Sequence, residues 1–163
     1  MTETLRLDHP FWRFSLRVYA QQAVREECLS LQERLGIDVN LLLFVAWLAV
    51  ERKIALSEAD AVAAGDAVRN WHTATVLPLR KVRRQVKVMK LFEREEVARF
   101  RKKIAAVELE AEQIEQALLF EWAEQRWPGA DNAVEASVSD NIAAYLRLFG
   151  GFAATALARA AQS

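Results

Sequence analysis

Polar side chains disappear for ten consecutive positions at Leu41–Val50, which reads LLLFVAWLAV. The run is too short for a bilayer, which takes about 20 apolar residues. It therefore reads as a buried element, and its flanks decide for helix over strand. Gly36 can close a preceding helix, and Asp38 is a good N-cap for the next. Ile37 and Leu42 fall at the hydrophobic-staple positions, and Leu and Ala favour helix. Glu51, Arg52 and Lys53 follow as a solvated end. A helix apolar all round must be enclosed by other elements. The pattern thus predicts a central helix over Val39–Lys53, with the rest of the chain packed around it.

The remaining elements follow from helical periodicity. Asp8 or His9 caps a first helix carrying Phe11, Phe14 and Val18 on one face, with Pro10 in its first turn. A bend at Gln21–Gln22 leads to a second helix with Val24, Cys28, Leu31 and Leu35 on one side. Ser57 and Asp60 have capping-box spacing and open a helix running to Trp71–His72. Pro78 then forces one of two outcomes, a new helix from about Thr75 or a kink in a continuing one. Beyond it, Leu79, Val82, Val86 and Met89 form an inner stripe. Val97, Phe100, Ile104, Val107, Ala111, Ile114 and Leu118 keep a 3-4 alternation over about three heptads. An uninterrupted helix from Leu79 to Trp127 would be about 70 Å long, too long for a domain with a radius of gyration of roughly 15 Å. A turn is therefore expected near Glu93–Glu96, with a separate helix from about Glu95 to Gln125. A loop over 128–137 and a helix capped by Ser137 or Ser139 come next. Its face carries Val138, Ile142, Tyr145 and Phe149. Residues 1–8 read as a flexible lead, and 152–163 as either a flexible tail or a short terminal helix.

Composition strengthens this picture. In 163 residues there are 5 Gly and 3 Pro, and 53% of positions are hydrophobic, which fits one folded all-α domain of six to seven helices. Lys+Arg and Asp+Glu are 22 each, so net charge names no partner. The single Cys28 excludes an internal disulfide and reads as a small core residue. The beginning of the chain has no signal-peptide pattern, so a cytoplasmic protein without membrane insertion is expected.

Local charge is more informative than net charge. Between Arg80 and Lys103 eleven Lys/Arg face only three Glu, and the sign then reverses through Glu108, Glu110, Glu112, Glu115, Glu121 and Glu124. The simplest reading is a solvated face whose basic half meets an acidic half, within the bundle or across a dimer. The functional alternative is phosphate binding, to RNA or a ribosome, through the basic stretch. Arg80, Arg83, Arg84 and Lys87 follow Pro78 closely, and with Trp71 and His72 they are the candidates for an anionic-ligand pocket. Against this, Trp71 also reads as core and His72 as helix surface. Val97, Phe100, Ile104, Val107, Ile114 and Leu118, with Trp122 and Trp127 at the end of the same helix, are the candidates for an interface. His9 and His72 have no helical partner that makes a metal motif, and HExxH, GxSxG, a P-loop and a dinucleotide turn are all absent. No metal, cofactor or catalytic residue is therefore assigned. The glutamates from Glu108 onward read as exposed surface charge, and capping accounts for Asp38.

The segments FWRFSLRVY, CLSLQ, GIDVNLLLFVAWLA and WHTATVLPLRKVRRQVK, in this order, resemble a small proteobacterial family of uncharacterised all-helical proteins. The resemblance also takes in VELEAEQIEQ. It implies a bacterial cytoplasmic helical protein and carries no activity with it. The leading functional reading is a non-enzymatic interaction or scaffolding module that associates with itself or another protein. The alternatives are an RNA- or ribosome-associated protein, and a small-molecule-binding protein or enzyme with a pocket near Trp71 and Arg80.

Overall fold

The computed structural model describes residues 3–129 and 135–163, and the chain is all-α. At its centre is α3, Val39–Val50, with Leu42, Phe44, Val45, Ala46 and Leu48 fully buried. The Asp38 carboxylate caps it by accepting from Asn40 N at 2.9 Å. The helix ends earlier than the apolar pattern predicts, because Lys53 turns into left-handed backbone, φ 55°, and Ile54 N bonds back to Leu48 O.

Before it come α1, Pro10–Tyr19, and α2, Gln22–Leu35. His9, rather than Asp8, caps α1 through Nδ1, which accepts from Trp12 N at 3.1 Å. The His9 ring is fully buried and stacks on Phe120. Gly36 closes α2 at φ 69°, a geometry that a side chain disfavours. Cys28 is buried on the inner face of α2, and burial pushes its thiol up to about 12.

The expected break at Pro78 takes a third form. Helix α4, Glu58–Trp71, opens on the Ser57–Asp60 capping box and passes through a π turn, His72–Val76, directly into α5, Leu77–Val88. A proline ring collides with the carbonyl four residues back and offers no N–H to it. The wider π turn opens space there, with Leu77 N reaching His72 O. Thr73 and Thr75 hydroxyls donate to the carbonyls of Arg69 and Trp71 beside the turn. A 3-10 turn over Lys90–Glu93 then reverses the chain, as the length argument requires, into α6, Glu95–Arg126.

The second half of α6 crosses the core, and its first half pairs with α5. The segment 130–134, inside the expected loop, lies outside the described residues. Ser137 caps α7, Val138–Leu146, which lies along α3. Buried Asn141 fastens the two together. Its amide donates to Val45 O at 3.0 Å and Ile54 O at 2.9 Å and accepts from Leu56 N at 2.8 Å. The last stretch forms α8, Thr155–Ala161, with Leu157, Ala160 and Ala161 buried in the core. Among the described residues no helix is long and apolar enough to cross a membrane.

Candidate functional site

Three ionisable side chains meet inside the bundle from three different elements. Asp38 precedes α3, His72 opens the π turn, and Glu115 lies in the second half of α6. His72 Nδ1 is 3.2 Å from Asp38 Oδ2 and 3.0 Å from Glu115 Oε2. One ligand-type atom from each residue lies within 4.8 Å of the others. Glu115 is fully buried, and its second oxygen, Oε1, has no hydrogen-bond partner. Burial pushes the carboxyls of both Asp38 and Glu115 above the usual range. For Asp38, the neighbouring Glu115 adds to this, and His72 with the Asn40 N–H acts against it.

The group is held firmly. The Tyr145 hydroxyl accepts from Asp38 N at 2.9 Å and donates to Asp38 O at 3.1 Å, so α7 fixes the backbone that carries the carboxylate. Asn40 Oδ1 accepts from Gln116 Nε2 at 2.9 Å, tying α3 to α6 beside the group. Trp71 Nε1 donates to Ala111 O at 2.8 Å, locking the end of α4 onto α6.

Next to this group lies a different arrangement of charge. Arg80 donates to Glu108 Oε1 at 3.2 Å and Glu112 Oε1 at 2.8 Å, and Arg83 donates to both oxygens of Glu108. Glu108 is buried, which alone would raise its pKa, but the Arg83 and Arg80 guanidiniums hold it below the usual value. Glu112 is held above its usual value by burial, against the pull of Arg80.

Two cavities open on either side of α5. One, of about 510 Å³, has Asp38 and His72 in its wall with Arg69, Arg80, Arg84 and Tyr145. The other, of about 310 Å³, is bounded by Trp12, Ser15 and Tyr19 of α1, Asn40 of α3, Arg80, Arg83 and Arg84 of α5, and Glu112 and Gln116 of α6. Arg80, Arg84 and Gln32 line both. Ser15 Oγ and Gln116 Oε1 are buried in the second wall without a partner. Among the described residues, Arg84 is exposed and makes no ion pair.

A family model for a protein of unknown function, DUF2390, matches residues 10–119. The chain belongs to this family. The matched span contains Asp38, His72, Arg80 and Glu115, and so all of the site except Tyr145, which clamps it from α7. No curated protein and no solved structure matches the chain.

The positions predicted from the sequence are distributed unevenly around this site. His72, Arg80 and Arg84 line the larger cavity, and Arg83 joins Arg80 and Arg84 in the smaller one. Trp71 and Lys87 line neither. The glutamates expected to be surface charge are not uniformly so, since Glu108 and Glu115 are buried. Asp38 is more than a cap, and the contact of His72 with two carboxylates arises only between segments distant in sequence.

The candidate interface divides in two. Phe100 and Val107 are exposed, Val97, Ile104, Ile114 and Leu118 are half-buried, and the deeply buried face of α6 runs instead through Glu108, Ala111, Glu115 and Leu119. Trp122 and Trp127 pack edge to face at 5.4 Å, half-buried against the core.

Proposed function

We propose that the protein binds a small anionic molecule in the cleft around α5, with Arg84 recognising its carboxylate or phosphate group. The observation that carries this reading is the pair of cavities meeting at Arg84, the smaller of them walled by Ser15 Oγ and Gln116 Oε1, two buried polar atoms without protein partners. Such atoms are rare in folded proteins because each forfeits hydrogen bonds to water. Arg84 brings an uncommitted planar donor fork, and Trp12 and Tyr19 supply flat apolar walls, the usual mix of a small-molecule site. A thermal-shift panel of small carboxylates and phosphates tests it. Binders should raise the melting temperature of the wild type and lose that effect in Arg84→Glu and Ser15→Ala. A panel without binders, or binding indifferent to both substitutions, overturns it.

A second reading is association of two copies through the first half of α6. It is supported by Phe100 and Val107, together with Leu109, left exposed on one helix. Light scattering after size exclusion should give a dimer that Phe100→Glu dissociates; a monomer at every concentration removes this reading. Binding of RNA through Arg80–Lys103 has less support, because Arg80 and Arg83 are engaged with Glu108 and Glu112.

A further inference from the structure

We propose that Asp38, His72 and Glu115 form a binding site for a divalent first-row transition-metal ion such as Zn²⁺ or Mn²⁺. The donor set is one imidazole nitrogen and two carboxylates, which suits borderline cations of this class. Ligands at about 2.0–2.2 Å from one ion lie about 3 Å apart at right angles and about 3.5 Å apart in a tetrahedron. His72 Nδ1 stands 3.0 and 3.2 Å from the two carboxylates, so an ion requires only small side-chain adjustments.

The unsatisfied oxygen of Glu115 is the independent observation. Glu115 is fully buried, and its Oε1 makes no hydrogen bond. A cation held between the three side chains gives that carboxylate a partner. As ligands, the two carboxylates would together carry a charge of −2, which a divalent ion cancels without leaving a charge in the core.

The surroundings behave as supports for ligands. Asp38 Oδ1 is occupied by Asn40 N, which leaves Oδ2 for the ion. Tyr145 immobilises the Asp38 backbone. Fixing the first ligands through outer hydrogen bonds is what tight sites require. The π turn that carries His72 is a helix distortion frequently found at functional sites. Asp38 and His72 also form part of the wall of the larger cavity, through which water or a ligand can complete the coordination. The ion site stands on its own donors. Only the further step, that the ion and Arg84 hold one anion between them, rests on the function proposed above.

The test uses the full-length protein, stripped with a chelator and titrated with Co²⁺ in a buffer free of coordinating anions. The wild type should take up one equivalent and develop the visible absorption bands of a low-coordinate Co²⁺ site, and Zn²⁺ should displace it. His72→Gln and Glu115→Gln should weaken binding by about 100-fold or more. Circular dichroism establishes that both variants are folded, and should one not fold, the wild-type spectrum still decides. No bands in the wild type, or bands unchanged in a folded variant, overturn the proposal. Because no anionic ligand is present, failure here leaves the anion reading standing, and a Co²⁺ spectrum combined with a blank thermal-shift panel does the reverse.

Discussion

Glu108 and Glu115 lie two turns apart on one face of α6, and both are buried. Their surroundings are opposite. Glu108 receives Arg80 and Arg83 on its two oxygens and is held below its usual pKa. Glu115 faces Asp38 and His72, keeps one oxygen unsatisfied, and is held above its usual pKa. The first is a completed ion pair that fastens α5 to α6. The second is an unfinished one, of a kind that is rare in folded proteins, and the metal ion proposed above would complete it.

The largest effect should come from breaking the completed pair. Glu108→Ala takes away the ion-pair partner of Arg83 and one of the two carboxylates on buried Arg80, and should cost about 3 kcal/mol in urea unfolding. A loss below 1 kcal/mol would place Glu108 among ordinary surface charges.

Acid separates the carboxylate contribution from a second buried group. His9 is driven down to about 4, first by burial, then by the nearby Arg6, with Asp8 acting in the opposite direction and Arg13 adding to the lowering. Its folded pKa lies below the unfolded value. The neutral ring therefore stabilises the fold above about pH 6.5, and this stability is lost as pH falls toward 4. The loss should amount to roughly 3 kcal/mol. The Glu108 contribution has the same sign, being lost as pH falls through its lowered pKa. His9→Asn, which keeps an N-cap, should flatten the part of the acid limb between pH 6.5 and 4 and leave the Glu108 part. An unchanged limb would show that His9 does not titrate in this range.

Glu115→Gln should be the mild counterpart of Glu108→Ala. In metal-free buffer it removes a buried charge that has no full complement, so stability should change by less than about 1 kcal/mol, in either direction. A cost equal to that of Glu108→Ala would erase the distinction between the two glutamates. The smallest effect serves as a calibration. At Gly65 an added methyl would sit 3.7 Å from Leu41, an ordinary contact. Gly65→Ala should therefore stabilise by about 0.5–1 kcal/mol with Co²⁺ binding unchanged, and destabilisation would mean that the wall there is tighter than it looks.

Much of the scaffold was legible in the sequence because it is encoded locally. The apolar run and the caps at Asp38 and Ser57 depend on residues within a few positions of one another, and the turn before Glu95 follows from the length that an unbroken helix would have. The site was not legible, because its contacts join Asp38, His72 and Glu115 across 34 and 43 positions. A helix window scores a glutamate as solvent-facing without knowledge of what crosses it. One signal was present. Glu108, Glu112 and Glu115 repeat at helical spacing on the face that continues into Leu119, and Arg80 and Arg83 share a face of the preceding helix. Matching charges at matching spacing on adjacent helices are as consistent with a buried ladder as with two solvated surfaces. Similarly, Pro78 marked a disturbance without revealing its form, since proline can end, kink or widen a helix according to its neighbours.

The π turn before Pro78 also acts as an angular clutch. In an unbroken α-helix, His72 and Arg80 would point about 80° apart, since eight steps of about 100° overshoot two full revolutions. One residue absorbed by the wider turn takes back about 100° and brings the pair to within roughly 20° of a common bearing. Both then reach α6, His72 at Glu115 and Arg80 at Glu108 and Glu112. Deleting one residue within 72–76 would shorten that rod by only about 1.5 Å, and in doing so it could regularise the helix while keeping the two bearings aligned. Inserting one into a regular stretch of α5 before Arg80 would instead turn the arginines away from their glutamates and leave His72 in place.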